Sequence, residues 1–153
     1  GPPVVTIYPD TSFLVSFLAG WERHHALAMA WFRPRSEAEW LISPWAEFET
    51  LNILRQMCRE PNGPPPNRVE AVRRYWRHLF RAGPFVRRPV DWLATTAGCQ
   101  ELSAAFSVRQ RMRSADTLHI AILDQILPDL FVTSDGNQHA LALARGFESE
   151  KYR

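Results

Sequence analysis

The chain has 153 residues, 46% of them hydrophobic and 22% charged, with a formal net charge of +2 and a pI near 8.8. These are the proportions of one soluble globular domain large enough to bury a core of its own. No apolar run approaches the length of a membrane span and no basic segment precedes an apolar one, which excludes a membrane protein and points to the cytoplasm. Gly1-Pro2 reads as a cleavage scar, leaving residues 3–153 as the domain. Cys58 and Cys99 fall in separate helical patterns and read as buried free thiols. All but one of the 18 basic residues are arginine, Lys151 being the exception. That bias suits phosphate binding, and a GC-rich genome would produce it equally well.

In chain order, Val4 to Tyr8 is a buried-strand pattern that ends in Pro9-Asp10-Thr11-Ser12 and runs into an apolar helix. A second amphipathic helix is expected over Glu22–Phe32, with Ala26, Ala28, Met29 and Trp31 among its apolar positions. A short strand follows at Trp40–Ser43. Pro44 then opens a helix that continues through Cys58, at a position where proline is tolerated. Residues Arg59 to Asn67, REPNGPPPN, cannot be helical and form a stiff loop. A helix over Arg68–Arg81 carries Arg74, Arg77 and Arg81 at three- and four-residue spacing, and Phe85–Arg87 reads as a strand before a helix from Val90 to Phe106. Ser114 is the expected N-cap of the next helix, which places Asp116 in its first turn, where the helix dipole favours an acid. Leu118, Ile122 and Ile126 give it a buried stripe, and Leu127-Pro128-Asp129 stops it. Leu130–Thr133 is a β-branched strand ending at Ser134-Asp135-Gly136, followed by a helix to Ala144 and a final strand at Gly146-Phe147. Strands alternating with helices predict a three-layer α/β/α sandwich around a central, mostly parallel sheet.

Singly, Asp116 reads as a dipole partner and Asp135 as a turn residue. Their weight lies in Asp10. Two strands that both end on an aspartate bring carboxylates to the crevice beyond the carboxyl ends of a parallel sheet, and clustered carboxylates repel unless a cation neutralises them.

The segments IYPDTSFLVSFL, ISPWAEFETLNILR, SADTLHIAIL and FVTSDGNQHALA, in this order, resemble the four signature regions of the PIN-domain nucleases, among them the VapC-like toxins of toxin–antitoxin pairs. The resemblance implies an α/β/α fold and a metal-dependent endoribonuclease whose acids are Asp10, Glu49, Asp116 and Asp135. Glu47 and Glu49 lie about 200° apart around a helix, so both cannot face one ion. The family's pattern of a serine, five residues, a glutamate, two residues and an asparagine fits Ser43, Glu49 and Asn52, which makes Glu49 the choice. Thr11 or Ser12 would supply a hydroxyl beside the metal, and Ser134 and Asn137 flank the fourth acid. Some relatives carry another acid where Asn137 stands, so one tightly held ion is the expectation.

Hard oxygen ligands that leave several waters on the ion suit Mg²⁺ or Mn²⁺. Arg109, Arg111 and Arg113 would contact RNA phosphates, the alternative being a solvated helix end. A cognate antitoxin, covering a surface that includes Trp21, Trp31 and Trp45, and a homodimer are implied by the same resemblance. The histidines show no zinc spacing. His119, one turn after Asp116, and His139, four residues after Asp135, read as packing residues, with a place behind the acids as the alternative. A catalytically weak PIN domain serving as an RNA- or protein-binding module is the alternative. A dehalogenase-type phosphohydrolase lacks its second aspartate, since Ser12 stands there, and a phospho-receiver lacks an internal lysine.

Overall fold

The computed structural model describes residues 4–153, so the Gly1-Pro2 scar lies outside the described residues. Five strands form one sheet in the order β3-β2-β1-β4-β5, and every pairing is parallel. They are β1 (Thr6–Pro9), β2 (Glu39–Ile42), β3 (Phe85–Arg87), β4 (Leu130–Thr133) and β5 (Ser149–Lys151). The helices are α1 (Thr11–Leu18), α2 (His25–Phe32), α3 (Pro44–Met57), α4 (Pro66–Ala82), α5 (Trp92–Phe106), α6 (Ser114–Ile126) and α7 (Gly136–Ala144). Among the described residues no helix is long and apolar enough to cross a membrane.

Strand side chains alternate between two cores, which makes the sandwich three-layered. Ile7, Trp40, Ile42 and Val132 pack with α1 to α4, where Phe13 lies 5.2 Å from the Trp40 ring and Trp76 edges onto Phe85. Tyr8 and Phe131 face the other way and pack with α5, α6 and α7 through Leu102, Ile120, Leu123 and Leu141. Pro9 is accommodated at the last position of β1. Asp10 N–H donates to Val132 of β4, so the nitrogen of Pro9 points towards β2, beyond the last β1–β2 pair at Ile7.

Several boundaries differ from expectation. The first strand begins at Thr6, and Val4 and Val5 are exposed. Glu22 to His24 form a turn instead of the start of α2, because the Glu22 carboxylate takes the His24 N–H. Ser43 lies just past β2 and caps α3, its hydroxyl accepting Ala46 N–H at 3.0 Å. The proline-rich loop ends two residues earlier than the pattern suggests, as Pro66 already starts α4. Val90 and Asp91 precede α5, whose cap is Asp91. The last strand is Ser149–Lys151. Gly146 and Phe147 instead close the end of α7 through bonds to Leu143 and Ala142. Cys58 and Cys99 are free and only half-buried.

Candidate active site

The carboxyl ends of β1 and β4 are fastened side by side, and the first acid is part of the fastening. Asp10 caps α1: Oδ1 accepts Phe13 N–H at 3.0 Å and the Ser12 hydroxyl at 2.6 Å, while Oδ2 accepts the Thr133 hydroxyl at 2.6 Å. Thr133 Oγ1 in turn accepts Asp135 N–H, and Ser12 Oγ accepts Ser134 N–H. Asp10 is only 1% exposed. Burial raises its carboxyl above the usual range, against the opposing pull of His119 and its three donors.

Asp135 caps α7 with Oδ1, which accepts Asn137 and Gln138 N–H, and its Oδ2 makes no hydrogen bond among the described residues. Asp116 stands in the first turn of α6. The cap of that helix is the backbone of Arg113, in extended conformation with Thr117 N–H on its carbonyl, so Ser114 is the first helical residue and not the expected N-cap. Asp116 is half-buried and accepts no hydrogen bond from described groups. Its carboxyl is pushed up by burial first and next by the negative charge of Asp135, with a smaller push from Asp10.

Glu49 comes from α3. Its carboxylate accepts from Thr11 Oγ1 and lies 2.9 Å from His119 Nε2. Burial raises its pKa, but the hydrogen bonds from His119 and Thr11 outweigh it and leave the group lowered. Glu47 points elsewhere and pairs with Arg87 at 3.0 Å, as the separation around the helix requires.

Asp10, Glu49, Asp116 and Asp135 all line one cleft of about 510 Å³, together with Thr11, Ser12, Ser134 and Arg113. An adjoining hollow of about 200 Å³ shares Arg113, Asp116 and Asp135 and adds Arg111 and Asn137. Arg109 is exposed, donates to Ala105 O, and lines neither. Asn52 sits half-buried on α3 away from both. Of the four carboxylates, the oxygens that accept no hydrogen bond from described groups are those of Asp116, Oδ2 of Asp135 and Oε2 of Glu49. Among the described residues, no three acidic, histidine or cysteine side chains are drawn tightly enough together to hold an ion directly.

Three further residues join the site, and two of them, Tyr8 and Tyr152, are not evident in the sequence. His119, read as packing, is 1% exposed and joins Tyr8, Thr11 and Glu49. Its place one helical turn after Asp116 is the signal for the alternative, a place behind the acids, and the structure puts it there. Tyr8 lies at the centre of the sheet with its hydroxyl beneath the site. Tyr152 closes one side of the cleft, donating to Ser12 O at 3.0 Å, and no local pattern announces it. His139 bonds Ser149 and stays outside.

No family model and no curated protein matches this sequence. Solved structures do match. VapC20 of Mycobacterium tuberculosis, a sarcin-ricin loop cleaving toxin, is 19% identical over 92% of this chain and 95% of its own, with a TM-score of 0.59. A chain of FitAB bound to a DNA fragment is 18% identical over 95% and 94%, with a TM-score of 0.69. A chain of DNA-bound VapBC from Salmonella typhimurium is 12% identical over 98% and 100%, at 0.63. The chain has the PIN-domain fold. Within the PIN fold the cleft lies where a parallel sheet offers its ligand site, beyond the carboxyl ends of β1 and β4 and across the first turn of α6.

Proposed function

We propose that this protein is a Mg²⁺- or Mn²⁺-dependent endoribonuclease, the toxin of a toxin–antitoxin pair acting in the cytoplasm. One observation carries the reading: four carboxylates from four separate elements line one cleft, and the charge of Asp135 bears on half-buried Asp116 without a basic group bonded to either. A fold keeps such repulsion where a cation relieves it. The donor set is hard oxygen, which suits a divalent ion that keeps several waters. Such an ion, when bound, activates water and stabilises charge on a phosphodiester.

The chain's own residues divide the remaining work. Asp116, Asp135 and Glu49 would hold the ion between them, one or two directly and the rest through its waters. Asp10, whose Oδ1 accepts from Ser12 and Phe13, fixes the floor, and its Oδ2, with one hydrogen bond from Thr133, keeps a lone pair that would serve the same ion. Arg113 lines the cleft and Arg111 the adjoining hollow, where guanidinium groups can orient a phosphate backbone. Thr11, Ser12, Ser134 and Asn137, which line the cleft or the adjoining hollow, are assigned supporting roles. The RNA substrate, a cognate antitoxin and a homodimer belong to the same reading. The neighbours support it to the extent that one is a sarcin-ricin loop cleaving toxin and others come from VapBC and FitAB assemblies.

The three internal donors on Asp10, which bind it into the fold, favour a second reading, a PIN domain that binds RNA or protein without cutting. One experiment separates the two. The protein is incubated with a mixed structured RNA in Mn²⁺ or Mg²⁺, with a chelator control and the Asp116→Asn variant alongside. Cleavage that stops with chelator and in the variant supports the nuclease. RNA retention without cleavage supports the binding module.

A further inference from the structure

Below the cleft, a line of hydrogen bonds leaves α3 at its N-cap and returns to the same helix at Glu49, passing through β1 and α6. Ser43 Oγ, which accepts Ala46 N–H, is 2.9 Å from the Tyr8 hydroxyl. That hydroxyl is 2.8 Å from His119 Nδ1. Nε2 on the far side of the ring is 2.9 Å from Glu49 Oε1 and 3.0 Å from Thr11 Oγ1, and Thr11 Oγ1 itself donates to Glu49 Oε1. Ser43, Tyr8 and His119 are at most 1% exposed, so no water competes for these partners.

The donor inventory gives the line a direction. A carboxylate only accepts, so the nitrogen facing Glu49 carries the hydrogen. In a neutral imidazole Nδ1 is then the acceptor, Tyr8 donates to it, and Tyr8 accepts from Ser43. Glu49 Oε1 therefore receives two donors from inside the protein, and Oε2 is the oxygen left for the cleft.

We propose that His119 is a positioning residue, held by Tyr8 and Ser43, that pins one oxygen of Glu49 and presents the other to a divalent cation. The inference rests on the metal-dependent reading above. It assigns Tyr8, which never reaches the cleft, an effect on metal affinity.

Mn²⁺ affinity, read from the electron paramagnetic resonance of the free ion, is compared for the wild type, Tyr8→Phe, His119→Ala and Glu49→Gln, and for Tyr8→Phe combined with Glu49→Gln. Tyr8→Phe removes one oxygen and leaves the ring stacked 6.0 Å from Phe131. Tyr8→Phe and His119→Ala are expected to weaken Mn²⁺ binding roughly 10–100-fold, the range for partners that orient a ligand. In the Glu49→Gln background Tyr8→Phe should add nothing, because its effect passes through Glu49. Equal weakening in both backgrounds would mean a general loosening and overturns the proposal, as does no weakening in either. Imidazole nitrogen shifts of the metal-free protein supply a second reading: hydrogen on Nε2 is expected, and hydrogen on Nδ1 alone overturns it. If the wild type binds no Mn²⁺ while carrying the Nε2 hydrogen, the metal reading fails, and the role of His119 as presenter of a ligand fails with it.

Discussion

Two regions of this molecule collect charge of one sign, in opposite surroundings. In the cleft, Asp10 is almost fully buried, Asp116 is half-buried, and Asp135 acts on Asp116 by its charge. On the outer face of α4, Arg74, Arg77 and Arg81 are exposed and have no ion-pair partner among the described residues. Water and salt screen the arginines, whose mutual repulsion costs well under about 1 kcal/mol. In the cleft, partial burial weakens that screening, and the raised pKa of Asp116, opposed only in part by His119 and Arg113, shows that its charge opposes folding. A retained cost marks a working site, whereas an unpaired but solvated face marks nothing by itself. The side opposite that face of α4 is its structural one, where Val69, Trp76 and Leu79 are buried.

The sharpest way to break this contrast is to neutralise one acid. Asp116→Asn is expected to lower RNA cleavage about 10²–10⁴-fold, the scale of losing one group that acts on the reacting centre, while raising the melting temperature of the metal-free protein by a small amount, under roughly 2 °C because solvent screens a half-buried charge. Cleavage rates and thermal melts on the same preparations check both. An activity loss accompanied by a lower melting temperature would mean that Asp116 supports the fold and that the cleft carries no retained cost. Glu47→Gln is the matched control. It cuts only the exposed pair with Arg87, and cleavage should stay within about twofold, since such pairs contribute little.

Next in size is the effect of the ion. Saturating Mn²⁺ at about 100 times its dissociation constant should stabilise the wild type by about 2.7 kcal/mol. The gain should shrink sharply in Asp116→Asn. Equal gains in the two proteins would place the ion somewhere else.

The pH dependence is a smaller effect and follows from the direction of each shift. Asp116 has a folded pKa above its unfolded one, so between the two values the native state holds more protons, and stability falls as pH rises through that window. Glu49 has the opposite sign: its contribution is present above its unfolded pKa and is lost as pH falls through the lowered folded value. The melting-temperature advantage of Asp116→Asn over wild type should therefore be small near pH 4 and grow until Asp116 is fully ionised. A difference that is flat with pH would show that the gain has nothing to do with the carboxylate's charge.

How much of this could be read in advance depends on whether a feature is specified locally. The bounds of β3 and β4 and the start of α3 at Pro44 match their sequence patterns, since a β-branched run or a proline at the first helical turn carries its own signal. The edge strand Ser149–Lys151 has no such signal. Its residues SEK are strand only because Phe131 to Thr133 offer a parallel partner. In the site, each aspartate sits at an element boundary and is legible there. Helix geometry alone leaves Glu47 and Glu49 as alternatives; the serine, glutamate and asparagine spacing of the resembled family selects Glu49, and the pairing of Glu47 with Arg87 shows where the other one points. The line from Ser43 to His119 joins positions 35 and 111 residues from Tyr8, and no local pattern encodes such separations.

The smallest expected effect tests the other half of the contrast. Arg74→Ala with Arg77→Ala removes two charges from α4 at positions that contact no acid closely; their influence reaches Glu70, which Arg73 already holds at 2.7 Å. Alanine is also a better helix former than arginine by a few tenths of a kcal/mol. Stability should stay within about 0.5 kcal/mol of wild type, a shift of roughly 1–2 °C, and Mn²⁺ affinity should not move. A clear gain in stability would mean that the arginines repel one another as strongly as the cleft acids do, and charge clustering alone would then no longer separate a working site from an idle face. If stability is unchanged on α4 and rises in the cleft, burial is what gives like charge its meaning in this fold.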